Sequence, residues 1–144
     1  LLRRALRIQE RVFGPVHPKV ASVLNDLGSA ALKSKHMTEA AAYFRRSGEI
    51  YRAVYGGRHY YIGIATSNLA SVYMESEEYR QAEPLFREAI AMFGQTLPAD
   101  HLETAIARTK LGHVLFRQKR YDEAEKELEA GYAVLRRKTS GNVS

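Results

Sequence analysis

The sequence predicts an all-α protein, a superhelix of about seven helices that stack in pairs. Three observations predict this fold: a repeat of 42 residues, apolar side chains at helical spacing within each repeat, and a lack of segments that alternate apolar and polar residues. His17, His59 and His101 mark the repeat, because they follow one another at intervals of 42 residues. Helix pairs that recur at a fixed period cannot bury their apolar faces alone, so they stack on their neighbours.

The chain divides into half a repeat followed by three whole ones. The opening "LLRRALRIQERVFG" (1–14) aligns with "YFRRSGEIYRAVYG" (43–56) at the same interval, so it is predicted to be a second helix whose first helix is missing. We therefore expect the natural array to continue upstream. The predicted units are a truncated repeat over 1–16, repeats over 17–58 and 59–100, a terminal repeat over 101–139 and a tail, "SGNVS", over 140–144.

Each repeat is predicted to contain a first helix, a short turn and a second helix. In the first full repeat, the positions that share one face of the first helix are Val20, Leu24, Leu27 and Ala31. The corresponding face of the second helix carries Ala40, Phe44, Ser47 and Tyr51. These two faces are expected to form the core of the repeat.

Two local signals predict where later second helices begin. Pro84 is expected in the first turn of its helix, where a missing N–H costs least. Asp122, followed three residues later by Glu125, is expected to cap the start of the last helix.

The combination of "HPKVASVLNDLG", a short turn and "EAEKEL" resembles the tetratricopeptide repeat, and the 42-residue length with its leading His-Pro resembles the kinesin-light-chain-type variant. The resemblance covers the chain apart from its last few residues and implies a right-handed superhelix with a concave and a convex side. That variant usually has glycine in the turn between its helices, where this sequence has Lys35, Glu77 and Lys119. A non-glycine residue in a left-handed turn costs roughly 1 kcal/mol, so we expect these turns to take a different shape.

Composition narrows the classes of function. The absence of cysteine removes disulfide frameworks and thiol nucleophiles and is compatible with a reducing, cytoplasmic compartment. No apolar run approaches the roughly 18–20 residues that span a bilayer. The net charge of +6 is uneven, with 11 basic and 4 acidic residues over 1–58, 2 and 6 over 59–100, and 9 and 6 over 101–144. An acidic middle third argues against a nucleic-acid binder, which usually shows one coherent basic face.

His59, beside Tyr60 and Tyr61, is the most conspicuous candidate for chemistry. Equivalent positions of successive repeats lie at least one helix spacing apart, about 8–10 Å, whereas zinc ligands each lie within ~2.1 Å of the metal. The three repeated histidines therefore cannot share an ion, and we interpret them as residues of the helix starts. No nucleophile elbow, phosphate loop or His-Glu-x-x-His spacing occurs, so we predict a chain that is not an enzyme and has no cofactor or metal site.

The resemblance implies that the first helices line a concave groove with the face opposite their apolar stripe. Short polar side chains recur on that face and suit the backbone of an extended peptide. The candidate groove residues are Asn25, Asp26, Ser29, Lys33, Ser67, Asn68, Ser71, Thr109, Lys110, His113 and Arg117. The basic members of this set favour an acidic segment. The family's "Leu-Asn-Asn-Leu" phrase is kept only in part, as "LNDL" and "TSNL".

We therefore predict a non-catalytic interaction module that binds a peptide segment of a partner protein in its concave groove, as part of a larger protein. One alternative is self-association, including a homodimer, through the N-terminal helix. Its apolar positions Leu1, Leu2, Leu6 and Phe13 lack the first helix that would cover them.

A second alternative rests on Arg3, Arg45 and Arg87, which share one repeat phase and are predicted to form a basic row on the convex surface. Such a row would suit an acidic partner or a nucleic acid backbone, although solubility and ion pairing within the chain are the favoured explanation.

Overall fold

The computed structural model describes residues 1–140, and these form seven α-helices without a β-strand. The helices are α1 (Leu2–Phe13), α2 (Pro18–Lys33), α3 (Met37–Tyr55), α4 (Tyr60–Glu75), α5 (Tyr79–Thr96), α6 (Leu102–Arg117) and α7 (Tyr121–Ser140). The predicted all-α class and helix number are confirmed. Residues 141–144 of the predicted tail lie outside the described residues.

The histidine of each repeat is the N-cap residue of its first helix and directly precedes the first helical residue. The Nδ1 atoms of His17, His59 and His101 each accept a hydrogen bond from the backbone N–H two residues further on, at 3.1 Å in all three cases. Such an N-cap satisfies a backbone donor that would otherwise lack a partner. Phe13 stacks on His17 and Tyr55 on His59, with ring centroids 4.3 and 4.0 Å apart. The interpretation of these histidines as helix-start residues is confirmed.

The turns inside the repeats do not take the different shape expected from their sequence. Lys35, Glu77 and Lys119 have φ angles of 63°, 60° and 64°, so all three adopt the left-handed conformation. In the first turn the N–H of Lys35 donates to the carbonyl of Leu32 at 3.0 Å, and the next N–H donates to the carbonyl of Ala31 at 2.8 Å. This pair of bonds is a Schellman motif. Two bonds that each contribute about 1 kcal/mol outweigh a strain of roughly 1 kcal/mol.

Both expectations about the starts of second helices are wrong. α5 begins at Tyr79, so Pro84 lies inside the helix and not in its first turn. α7 begins at Tyr121, so Asp122 and Glu125 lie inside it and cannot form its N-cap. The left-handed turn fixes each start, because it reverses the chain two residues before the helix begins. Asp122 remains favourable there, since a carboxylate in the first turn interacts well with the helix dipole.

The two predicted apolar faces lie in the core. Every residue of both faces in the first full repeat is buried: Val20, Leu24, Leu27, Ala31, Ala40, Phe44, Ser47 and Tyr51. Ser47 is the polar member of this set, and its Oγ donates to the backbone oxygen of Ala21 at 2.9 Å. That bond satisfies the hydroxyl, because a buried polar group without a partner would be destabilising.

The first helices form an inner row and the second helices an outer row. α2 and α4, and likewise α4 and α6, have Cα atoms within 8 Å of each other, whereas no two of α1, α3, α5 and α7 come so close within residues 1–140. The closer row lies on the inside of the curve, so the first helices line the concave side. On the convex side, furrows floored by first helices separate the second helices. We name them the α3/α5 furrow, floored by α4, and the α5/α7 furrow, floored by α6.

None of the helices within the described residues is both long and apolar enough to cross a membrane.

Candidate functional site

The predicted groove residues all lie on α2, α4 and α6, the row that lines the concave side. Five of them are exposed: Asp26, Ser29, Lys33, His113 and Arg117. Another five are half-buried: Asn25, Ser67, Asn68, Thr109 and Lys110. Ser71 is only 5% exposed and is the one buried member of the set. A ligand in the groove would therefore reach the outer groups directly and Ser71 hardly at all.

Polar side chains of the groove link neighbouring first helices. Asn68 Nδ2 donates to Asn25 Oδ1 at 3.4 Å, between α4 and α2. Lys110 Nζ donates to Ser71 Oγ at 3.1 Å, between α6 and α4. Ser71 Oγ in turn donates to the carbonyl of Ser67 at 3.1 Å. These links orient the side chains and still leave donors for a ligand, because an amide carries two N–H groups and an ammonium three.

At one end the concave surface deepens into a pocket of about 470 Å³ where α4, α6 and α7 meet. Its polar lining comes from three predicted groove residues, Thr109, Lys110 and His113. The structure therefore brings these three residues of α6 together at the pocket. Arg117 and the predicted groove residues on α2 and α4 lie outside it.

The apolar walls of this pocket were not among the predicted groove residues. They come from Met74, Phe116, Leu128 and Tyr132. Phe116 is 53% exposed and Tyr132 48%, so two aromatic rings are open to a ligand. A sequence signal existed for part of this wall, because Leu32, Met74 and Phe116 share one repeat phase at the end of the first helix. An apolar residue recurring beside the polar face could have indicated it.

Arg117 is held in place at the rim of the groove. Its Nε donates to the hydroxyl of Tyr79 at 3.1 Å, and its guanidinium lies 5.7 Å from the centre of that ring. Its Nη2 also lies 3.9 Å from a carboxylate oxygen of Glu77. The side chain is oriented but stays exposed, so it can add a second carboxylate from a ligand.

The aromatic cluster around His59 is structural. The Nδ1 atom of His59 is occupied by the helix cap, and the ring packs between those of Tyr55 and Tyr60. Burial and the neighbouring Tyr61 and Tyr55 raise the pKa of Tyr51 to about 12, so this phenol stays neutral at physiological pH. Within residues 1–140, no group of three or more acidic or histidine side chains is placed to hold a metal ion.

The predicted basic row on the convex side is mostly paired within the chain. Arg3 lies 3.7 Å from Glu39, and Arg87 lies 3.1 Å from Glu83. Arg45 differs, because its Nη2 donates to the hydroxyl of Tyr73 at 3.0 Å instead. Ion pairing therefore accounts for two members of the row and leaves the third distinct.

Comparison with known proteins agrees with this architecture. The family model of the tetratricopeptide repeat matches three overlapping segments, residues 1–53, 30–95 and 61–137. The solved structure of BtubC (BKLC) from P. vanneervenii superimposes with a TM-score of 0.85 over 99% of this chain and 56% of that one, at 16% identity.

A protein from Podosopora anserina described as a kinesin light chain with nearly identical TPR-like repeats gives a TM-score of 0.72 at 19% identity, over 95% of this chain and 65% of that one. A point mutant of the same protein gives 0.75 at 19% identity, over 96% and 66%. The chain thus spans between about half and two thirds of the length of these structures. No curated protein matches the sequence.

Proposed function

Because the chain belongs to the tetratricopeptide-repeat family, we propose that it binds a peptide segment of a partner protein in its concave groove and has no catalytic role. Members of this family are generally protein–protein interaction modules. The observation that carries the proposal is the pocket of about 470 Å³, where exposed aromatic rings and predicted groove residues meet. Aromatic side chains in such pockets dominate the binding energy of many interfaces.

The chemistry of the pocket favours a ligand with a large apolar side chain beside an acidic one. Phe116 and Tyr132 offer apolar surface, and the ammonium of Lys110 lies at the same pocket. Lys33 and Arg117 are exposed further along the groove and attract negative charge, whereas Asp26 and Glu75 limit where it can lie. This attraction should weaken with salt, because the Debye length falls from ~10 Å at 0.1 M to ~3 Å at 1 M.

Selection from a displayed library of random peptides tests this proposal without knowledge of the natural partner. We expect wild type to enrich peptides in which an apolar residue neighbours Asp or Glu. The double substitution Phe116→Ala and Tyr132→Ala should lower their affinity about tenfold or more, since it removes both rings. The matched control is Leu102→Ala, which truncates a side chain that is 42% exposed on the same helix, outside the pocket.

Thermal melts of all variants establish that they are folded. If wild type enriches no sequence pattern, or if Leu102→Ala weakens binding as much as the double substitution does, the groove is not the binding surface.

Self-association through α1 is a second candidate, favoured by the surface of that helix. α1 has no buried residue, and Ile8 and Val12 are 52% and 66% exposed. Exposed apolar side chains on one helix favour association. Sedimentation at increasing concentration should then show a dimer that Ile8→Glu disrupts, whereas a mass that stays monomeric excludes this candidate.

A further inference from the structure

The α5/α7 furrow on the convex side is closed by four charged side chains. Arg87 Nε lies 3.1 Å from Glu83, and Arg87 Nη2 lies 3.4 Å from Glu123. Arg120 lies 2.5 Å from Glu83 and 2.6 Å from Glu123. Two guanidinium groups and two carboxylates therefore satisfy one another within the chain.

The same four positions of the α3/α5 furrow, 42 residues earlier, do not close it. They are occupied by Ala41, Arg45, Glu78 and Gln81. Both carboxylates that bind Arg87 are thus replaced, one by a methyl group and one by a neutral amide. Arg45 and Glu78 are exposed, and neither forms an ion pair with any residue in the described range 1–140.

An open pocket of about 260 Å³ lies at this point of the α3/α5 furrow. Arg45 and Glu78 line it, and hydroxyl groups come from Thr38, Tyr73 and Ser76. The bond from Arg45 Nη2 to the Tyr73 hydroxyl, 3.0 Å long, holds the guanidinium at the pocket. A guanidinium has five N–H donors in a planar fork that matches a carboxylate. The described contacts therefore leave Arg45 with donors directed to the furrow and no anion to receive them.

We propose that the α3/α5 furrow is a docking site for a protein segment that carries a carboxylate for Arg45 and a basic side chain for Glu78. The α5/α7 furrow supports this choice of ligand, because there the chain itself supplies carboxylates to the equivalent arginine. Glu78 stands where that furrow has Arg120, so the ligand must also supply the cation. Residues three apart lie on one face of a helix, so a helical segment with this spacing presents both charges together. The site lies on the convex side, so it is separate from the concave groove and independent of what binds there.

The probe is the capped peptide acetyl-Ala-Arg-Ala-Ala-Glu-Ala-amide, with its charged residues three apart. Titration is followed by NMR of the arginine side-chain Nε–Hε signals of the whole chain. The Arg45 signal should shift and saturate at millimolar peptide, as expected for exposed ion pairs, while the Arg87 signal stays in place. Arg45→Gln, followed by the backbone amide signal of Glu78, should weaken binding up to about fivefold. A control peptide with Gln in place of Glu should give no shift.

Exchanging the residues of the two furrows is the decisive comparison. The triple substitution Ala41→Glu, Glu78→Arg and Gln81→Glu supplies the missing carboxylates and the second guanidinium, and should abolish binding. The reverse substitutions Glu83→Ala, Arg120→Glu and Glu123→Gln should open a second site and make the Arg87 signal respond to the peptide. Binding that survives closure of the α3/α5 furrow, or equal shifts at every exposed arginine, overturns the proposal. If the reverse variant does not fold, the closing substitutions decide alone.

Discussion

The α3/α5 and α5/α7 furrows have the same backbone but different surfaces. Phe44 and Phe86 occupy one repeat phase beneath them and are 1% and 0% exposed, so an equivalent phenylalanine is buried in both repeats. The next position along the helix holds Arg45 in one and Arg87 in the other, and only Arg87 lies in a network of carboxylates. Positions that build the stack recur with the repeat, whereas those that face outward change from furrow to furrow. Differences in binding between repeats should therefore come from the outward positions.

The largest expected effect concerns the shared interior. Phe44→Ala and Phe86→Ala should each lower the free energy of unfolding by about 3–5 kcal/mol, because each leaves a cavity. The two losses should be similar, although the ring of Phe44 packs directly on Gly28, where an added Cβ would lie 2.6 Å from it. Urea unfolding followed by circular dichroism measures both. A difference above about 2 kcal/mol would break the claim that the furrows have equivalent interiors.

The next prediction distinguishes the two furrows by how the stability that each contributes depends on pH. Burial raises the pKa of Glu83, but hydrogen bonds and charges from Arg87 and Arg120 outweigh it, so the net pKa is lowered. A carboxyl group whose pKa is lower in the folded state stabilises the fold at pH values above its unfolded-state pKa of about 4.3. That stabilisation is lost as the pH falls through the folded-state pKa. Glu83→Gln should cost about 1–2 kcal/mol at neutral pH and little at about pH 3.

Unfolding free energies of wild type and Glu83→Gln at several pH values test this. The matched control is Ala41→Gln at the equivalent position of the α3/α5 furrow, which should leave the pH dependence of wild type unchanged. Parallel pH curves for wild type and Glu83→Gln would show that the network does not stabilise the fold.

The sequence predicts the interior far better than it predicts the furrows. Buried positions follow from the 42-residue phase and helical spacing, so Val20 and Phe44 could be assigned without coordinates. The histidine caps follow from the same phase. The left-handed turns were missed because a local strain of roughly 1 kcal/mol is outweighed by backbone bonds that no side-chain pattern reveals. The partner of Arg45 could not be predicted, because Tyr73 lies 28 positions away and only packing brings it close.

In the candidate groove, too, some features could be predicted from the sequence and others could not. Its polar face follows from helical spacing, so Thr109, Lys110 and His113 were identified. Its apolar wall combines residues of α4, α6 and α7, and Leu128 and Tyr132 belong to a second helix that the groove prediction did not consider. The depth at which Ser71 lies depends on how closely α4 and α6 pack, which the spacing of residues within one helix does not determine.

A smaller effect is expected from closing the open furrow. Ala41→Glu, Glu78→Arg and Gln81→Glu together should raise the free energy of unfolding by roughly 0.3–1 kcal/mol, the range of exposed ion pairs. The gain should shrink at 1 M salt, where the Debye length is ~3 Å. Thermal melts at low and high salt measure it, with Gln81→Glu alone as the intermediate case. A loss of stability instead would mean that the backbone spacing of the two furrows differs more than their common phase implies.

The smallest expected effect is the one that bears most directly on binding. Arg45→Gln should change the free energy of unfolding by less than about 0.5 kcal/mol, as for surface substitutions without a structural role. Arg87→Gln should cost more, because it leaves Glu83 and Glu123 with one guanidinium between them. Both are measured by urea unfolding under the same conditions. If Arg45→Gln destabilises the fold as much as Arg87→Gln, its bond to Tyr73 is a structural link between α3 and α4. If it does not, the stability of the stack gives no reason for an arginine at this position, which is what a docking role for Arg45 requires.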